Sequence, residues 1–337
     1  MLSFLLAAGL SLFTSLGLNK YLPQYLQHLG VKKDSGPDHL RWSIQAKPLT
    51  GGLAMAIPFW IVLIILHYFQ PLLFSRALLL FFITAFLIGL ADDIYSLSPI
   101  VKFIAQLLCG VLIWMNGMQI HLSGLYYPDL AITALWVAGI LNALNMLDNM
   151  DGVAGIAIVS ILMPGLITAQ ADPFIYFFIL SVTGILVGFL RYNLFPARIF
   201  MGDSGSHMLG AMLVWFSFQR GWNGIPELAP VWDEFIYVYA LLLFPFTDTF
   251  LVIVSRLLRR KSPFIGGKDH LTHILVYKGI PQKYISVFIL FINMLTGYWI
   301  IILKPDSGIV LGWVLIFSTL MGGVYYQTWQ RHRRLEG

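Results

Sequence analysis

Six aspartates stand where apolar runs of this 337-residue chain give way to polar sequence: Asp92, Asp93, Asp148, Asp151, Asp203 and Asp269. Carboxylates gathered at one place bind hard cations through oxygen. Magnesium in particular takes one or two of them and leaves the rest of its shell to phosphate oxygens and water. Phosphate handling is therefore the chemistry these residues could perform. Asp92 and Asp93 are adjacent, so on a continuing helix their side chains diverge by about 100°. Both reach one site only if the helix stops there, as the following Tyr-Ser-Leu-Ser-Pro suggests; an ordinary solvated helix end is the other reading.

In NALNMLDNMDG, the residues Asn142, Asn145, Asp148 and Asp151 recur every three positions, a ladder that drifts by about 60° per step around a helix. Convergence needs a break near Asp148, and Gly152 supplies one. Amides beside carboxylates can read a base or ribose and hold a metal-bound phosphate; in a membrane, asparagines also serve to join helices. In RIFMGDSGSHMLG, Gly202 and Gly205 flank Asp203 ahead of an apolar helix. The first N–H groups and the dipole of that helix would favour a phosphate, or be capped by Asp203 or Ser204. The stretch RRKSPFIGGKDHLTHILVYKG sets His270 and His273 three apart, on one face if helical. Lacking cysteine partners and an HExxH pattern, they fit phosphate contact better than zinc. Lys47, Lys102, Arg191, Arg198 and Lys268 could pair with phosphate or anchor the chain at a membrane surface. Asp248 lies inside an apolar run, where it either bonds within the bundle or lines a groove.

The elements that position these residues follow from composition. The chain is 58% hydrophobic and 11% charged, against about 25% charged residues in a soluble domain, and its mean hydropathy is +0.79. That excludes a soluble globular protein, because a single core stops growing near about 250 to 300 residues and charge would still coat it. The apolar residues must face lipid. The single cysteine, Cys109, excludes an intrachain disulfide and a cysteine metal cluster. A net charge of +5 would point to nucleic acid only with a basic face on a soluble domain, and the sequence offers none.

A bilayer core about 30 Å thick takes roughly 20 apolar residues per helix. On that measure the sequence predicts an all-α polytopic membrane protein forming a single domain over 1–337. Eleven spans are expected, at 2–19, 51–69, 77–91, 100–117, 131–147, 153–170, 174–192, 204–218, 236–256, 285–303 and 308–328. With this count, 18 of the 21 lysines and arginines fall on one side, leaving Arg76, Arg220 and Lys304 on the other. Positive charge is retained in the cytoplasm, which sets the N-terminus outside and the C-terminus inside. A cleaved signal peptide would reverse the basic 20–50 connection and lacks a basic leader, so the first helix is retained. The inner loops fall near 20–50, 92–99, 148–152, 193–203 and 257–284, and all six aspartates lie on that face.

ADD at the third helix end, NALNMLDNMDG at the fifth, FMGDSGS at the eighth and the late histidine pair, in that order over residues 47–280, resemble the polyprenyl-phosphate N-acetylhexosamine-1-phosphate transferase family. The resemblance implies transfer of a phospho-sugar from a UDP-HexNAc to a membrane polyprenyl phosphate, releasing UMP. It implies Mg²⁺, with Mn²⁺ as a substitute, an active site at the cytoplasmic face of a bacterial inner membrane, and the first membrane step of an envelope glycan pathway. Asp203 and Asp92 would be the metal ligands, and Asp92 and Asp93 would serve the lipid-phosphate nucleophile. His270 and His273 would complete the catalytic set. Asn142, Asn145, Asp148 and Asp151 would lie along the nucleotide and diphosphate, with Asn193 and Phe200 beside the uracil. Lys47 of KPLTGG and Lys102 of D-D-x8-K would face the site. Many members carry H-x-H-H or a triple histidine where this chain has Thr272, a departure that, with LDNMDG, looks more like the GlcNAc branch than the muramoyl-pentapeptide branch. A homodimer is compatible with the resemblance.

The lipid phosphate is already ionised near neutral pH, so direct attack needs no strong base; a covalent aspartyl intermediate is the alternative. Two other classes fit in part. A membrane prenyltransferase or CDP-alcohol phosphotransferase would also gather aspartates at inner helix ends around Mg²⁺, but no D-x-x-x-D ladder of those kinds is found. A secondary transporter predicts midplane charge and internal repeats, and only Asp248 fits it.

Overall fold

The computed structural model describes residues 2–28, 49–170, 172–219, 231–263 and 267–336, and among them every regular element is a helix. In chain order these are α1 (Leu2–His28), α2 (Gly51–Phe69), α3 (Arg76–Tyr95), α4 (Pro99–Met115), α5 (Tyr126–Leu147), α6 (Val153–Ala169) and α7 (Pro173–Asn193). There follow α8 (Gly202–Ser217), α9 (Val231–Leu241), α10 (Leu243–Leu258), α11 (Leu271–Tyr277), α12 (Gln282–Tyr298) with a π-helical turn at Trp299–Leu303, and α13 (Ser307–Glu336). Each of the eleven apolar segments is therefore helical. The chain is an integral membrane protein by the same physics: six helices, α2, α3, α5, α7, α12 with its π turn, and α13, are long and apolar enough to cross a bilayer. Large apolar side chains such as Leu72, Leu258 and Phe291 lie on the outside, as lipid contact requires.

The expected ninth span, 236–256, is not one helix. It breaks between α9 and α10, which meet at 94° and together make a seventh candidate span. Pro245 lacks the N–H that would bond the carbonyl of Leu241, so a continuous helix is blocked where α9 ends. α5 starts earlier than expected, because the buried Asp129 turns back to accept the N–H groups of Ser123 (2.7 Å) and Gly124 (3.1 Å) and closes the preceding loop.

The centre of the bundle is α8, which packs against α2, α3, α5 and α6. Every residue of this helix is buried except Asp203. A helix that is apolar all round belongs in the interior, and its one open residue is an aspartate in its first turn. Gly89 lets α3 approach: a Cβ there would overlap the backbone of Asp203 and Ser204. On the far side Trp215 of α8 packs with Phe178 of α7, ring centroids 4.4 Å apart.

Candidate active site

The site is assembled at the shared end of α3, α4, α5 and α8. α3 does not stop at the aspartates but runs on to Tyr95, where Ser96 in the left-handed conformation (φ 53°) ends it. Asp92 and Asp93 therefore diverge, contrary to the expected convergence. Asp92 accepts the N–H of Leu97 at 2.7 Å and the ammonium of Lys102 at 2.6 Å. Ser98 and Pro99 start α4 so that Lys102, one turn in, points back at α3. The same Lys102 Nζ donates to Asp203 Oδ2 at 3.1 Å, bridging two carboxylates that would otherwise repel.

Asp93 turns to the start of α8. Its two oxygens accept the N–H groups of Asp203 (2.8 Å) and Ser204 (2.9 Å). A carboxylate from a neighbouring helix thus caps α8 in the way an N-cap residue would. The expectation that these first N–H groups await a phosphate is corrected: Asp93 already satisfies both. Gly202 has φ +74°, and a Cβ there would come within 2.9 Å of the Asp93 carboxylate, so the turn that delivers Asp203 needs glycine.

Asn145 closes the cluster from α5. With its amide turned so that nitrogen meets acceptors, it donates to Asp203 Oδ1 (2.9 Å) and Ser206 Oγ (3.1 Å), and its carbonyl accepts from Lys102 Nζ (3.1 Å). Behind it lies a buried relay that the sequence reading missed. His207 Nδ1 donates to the Asp203 carbonyl (2.9 Å), its Nε2 accepts from Gln106 (3.1 Å), and Gln106 Oε1 accepts from Asn142 (2.5 Å). The carbonyl can only accept, which fixes the tautomer. The signal was present as spacing: Gln106 and His207 each follow a flagged residue, Lys102 and Asp203, by four positions. Asn142 sits in this relay rather than beside Asp203.

The other predicted residues line two neighbouring loops. Asp148 ends α5. Asp151 accepts the N–H of Ala197 (2.8 Å), tying the α5–α6 turn to the loop before α8. The buried Asn193 accepts from Gly152 (3.0 Å) and donates to Ile199 (3.0 Å), so it shapes that loop from within. Phe200 is half-buried, and its carbonyl receives the N–H of Gly51 at 3.0 Å. Lys47 lies outside the described residues.

His270 stands at the N-cap position of α11 and His273 follows in its first turn, their ring centroids 5.6 Å apart. Thr272, the departure from the family pattern, donates to Asn149 Oδ1 at 2.7 Å and fastens α11 to the α5–α6 turn. Burial, together with the neighbouring His270, pushes His273 down to about 3. Asp269 does not join the other carboxylates. It is gripped by Arg256 (2.6 and 3.0 Å) and Arg259 (2.7 Å). Burial alone would raise it, but these guanidiniums hold it down at about 2.

Among the described residues no three acidic, histidine or cysteine side chains meet at one point. The cluster of Asp92, Asp203 and Asn145 instead offers oxygen donors with Asp203 one-third open (33%), the kind of set that suits a hard cation completing its shell with phosphate and water.

The family model described as glycosyl transferase family 4 matches residues 75–220, from α3 through α8 and so across Asp92, Asp93, Lys102, Asn145 and Asp203. The chain is 27% identical over 248 residues to the probable undecaprenyl-phosphate N-acetylglucosaminyl 1-phosphate transferase of Bacillus subtilis strain 168, covering 69% of this chain and 67% of the relative. These matches support the resemblance to the polyprenyl-phosphate N-acetylhexosamine-1-phosphate transferase family. The decaprenyl-phosphate N-acetylglucosaminephosphotransferase of Mycolicibacterium smegmatis is 29% identical over 221 residues, 57% of this chain and 54% of the relative. A phospho-N-acetylmuramoyl-pentapeptide-transferase of Prochlorococcus marinus subsp. pastoris is 32% identical over 238 residues, 60% and 64% of the two chains. The chain spans between one half and two thirds of the length of these two relatives.

Proposed function

We propose that the protein transfers an N-acetylhexosamine 1-phosphate, from UDP-GlcNAc in the first instance, to undecaprenyl or another polyprenyl phosphate. The products are polyprenyl-diphosphate-HexNAc and UMP, and the step opens an envelope glycan pathway. The observation that carries this reading is the Lys102 ammonium held between Asp92 and Asp203 at the one open residue of the central helix. An oxygen of the lipid phosphate forms a bond to the sugar-proximal phosphorus, and the bond from that phosphorus to the UMP oxygen breaks, UMP leaving with the electron pair. Such a displacement asks mainly for positioning and charge neutralisation. Asp203 and Asp92 would hold Mg²⁺, or Mn²⁺, which supplies neutralisation of the diphosphate. Lys102 and Asn145 hold these carboxylates in place, the three donors of the Lys102 ammonium going to Asp92, Asp203 and the Asn145 carbonyl. Asp93 and the His207 relay keep the first turn of α8 rigid.

The distribution of lysine and arginine supports placing this end of the bundle in the cytoplasm, with eleven spans, the N-terminus outside and the C-terminus inside a bacterial inner membrane. Asp148, Asp151 and Phe200, on the loops beside the cluster, would then lie along the nucleotide. The test is product formation: purified protein in detergent, undecaprenyl phosphate and a panel of UDP-HexNAc donors, with the lipid product identified by mass spectrometry. One donor yielding a lipid-linked sugar diphosphate supports the reading. A folded protein that forms none with any donor overturns it.

A further inference from the structure

Asp248 is a buried carboxylate that the proposed reaction leaves without a role. It lies in α10, three residues beyond the proline of the bend, and is 0% exposed. Both of its oxygens are engaged by the same short segment: Oδ1 accepts the N–H of Leu271 (2.6 Å) and Oδ2 meets His270 Nδ1 (2.9 Å). An ionised carboxylate only accepts, so the hydrogen between them belongs to Nδ1. The ring is then fixed twice, by its own bond and by the capping of the helix that follows it, and Nε2 is the ring atom left to face a ligand. Thr272 and Asn149 hold this segment beside the end of α5, four residues beyond Asn145 and its bond to Asp203.

Resting on the transferase reading above, we propose that Asp248 is a positioning residue for the reaction: it sets the orientation and tautomer of His270, so that Nε2 is presented to the transferred phosphate. The separation in sequence, 22 residues, makes the pair invisible as a motif. The bend at Pro245 supplies the geometry, because it turns α10 out of the line of α9 and brings Asp248 under the start of α11. The pairing follows the general logic by which a carboxylate orients a functional histidine.

Asp248→Asn is nearly isosteric and can still cap Leu271, but its amide nitrogen is a donor. It therefore forces Nδ1 to accept and moves the proton to Nε2. The expected result is a fall in kcat of about tenfold or more with the KM for UDP-HexNAc changed less than about threefold, in keeping with an interaction made in the transition state. His270→Ala should lose at least as much, and the double variant should be no worse than His270→Ala, the non-additivity of one acting through the other. Full activity in Asp248→Asn, or additive losses, would overturn the proposal. Should Asp248→Asn fail to fold, ¹⁵N spectra of the unmodified protein decide: His270 with its proton on Nδ1 supports the role, and a neutral ring with its proton on Nε2 contradicts it. Absence of activity in the unmodified protein with every donor would instead count against the transferase reading, which the spectra address separately.

Discussion

The Asp93 carboxylate accepts the backbone N–H of Asp203 at 2.8 Å, although the two residues are 110 positions apart and both had looked like site carboxylates. Of the adjacent pair, Asp92 faces Lys102 and Asp93 is occupied in capping α8. Their variants should therefore differ in kind. Asp93→Ala should cost about 1 to 2 kcal/mol of stability, the usual loss for a helix cap, with activity falling because Asp203 is no longer held. Asp92→Asn should keep the thermal midpoint within a few degrees and lower turnover by about 10²-fold. Thermal unfolding in detergent beside UMP release separates the two; equal effects of both on both readouts would contradict the division.

Lys102 neutralises two carboxylates at once. In Lys102→Met the bare pair should bind divalent cations more tightly, because two nearby negative charges attract a cation. Mg²⁺ should then raise the thermal midpoint at lower concentration than in the unmodified protein, while turnover falls by about 10²-fold. A variant with unchanged Mg²⁺ response would show that the carboxylates do not share a cation.

A methyl group should damage the site without touching its polar atoms. Gly89→Ala places carbon against the backbone of Asp203 and Ser204, and overpacking of this kind costs about 1 to 3 kcal/mol. Both stability and turnover should drop. Retention of full activity would mean that α3 and α8 can separate freely.

Acid should weaken the loop that carries the histidines. His273 is pushed down to about 3 by burial and by His270, against about 6.5 for a free histidine. Between these values the unfolded chain binds a proton that the folded chain does not, so stability rises with pH across the window and is lost as pH falls below about 6.5. The slope for one such group is at most about 1.4 kcal/mol per pH unit. Asp269, held at about 2 by its two arginines against burial, acts in the same direction at lower pH. Its contribution is full above about 4 and lost as pH falls towards 2. Thermal midpoints at pH 7 and pH 5 should differ in the unmodified protein and differ less in His273→Gln; identical slopes would refute the assignment.

Much of the fold was legible because apolar runs are a coarse signal: all eleven segments are helical, and 51–69 matches α2 to the residue. The break at α9–α10 was not, since Leu241 to Phe244 are apolar enough to continue a helix and only the missing N–H of Pro245 argues otherwise. At the site, residue types pointed to Asp92, Lys102, Asn145 and Asp203, which the fold brings together. Direction was harder to read. Whether Asp92 and Asp93 share a target depends on where α3 ends, and whether Asn193 and Asn142 face a ligand or other groups of the protein depends on partners 6 to 41 residues away. Gln106 and His207 were hidden because a polar residue in an apolar run reads as an isolated exception until its partner helix is placed.

The most direct measurement is lipid-dependent UMP release from UDP-GlcNAc by the detergent-solubilised protein and by Asp203→Asn, each with and without Mg²⁺. The account predicts release that requires both undecaprenyl phosphate and Mg²⁺ and that falls by about 10²-fold or more in the variant, which should remain folded because Asp93 still caps its helix. Equal release from the two proteins would contradict the placement of the reaction at Asp203.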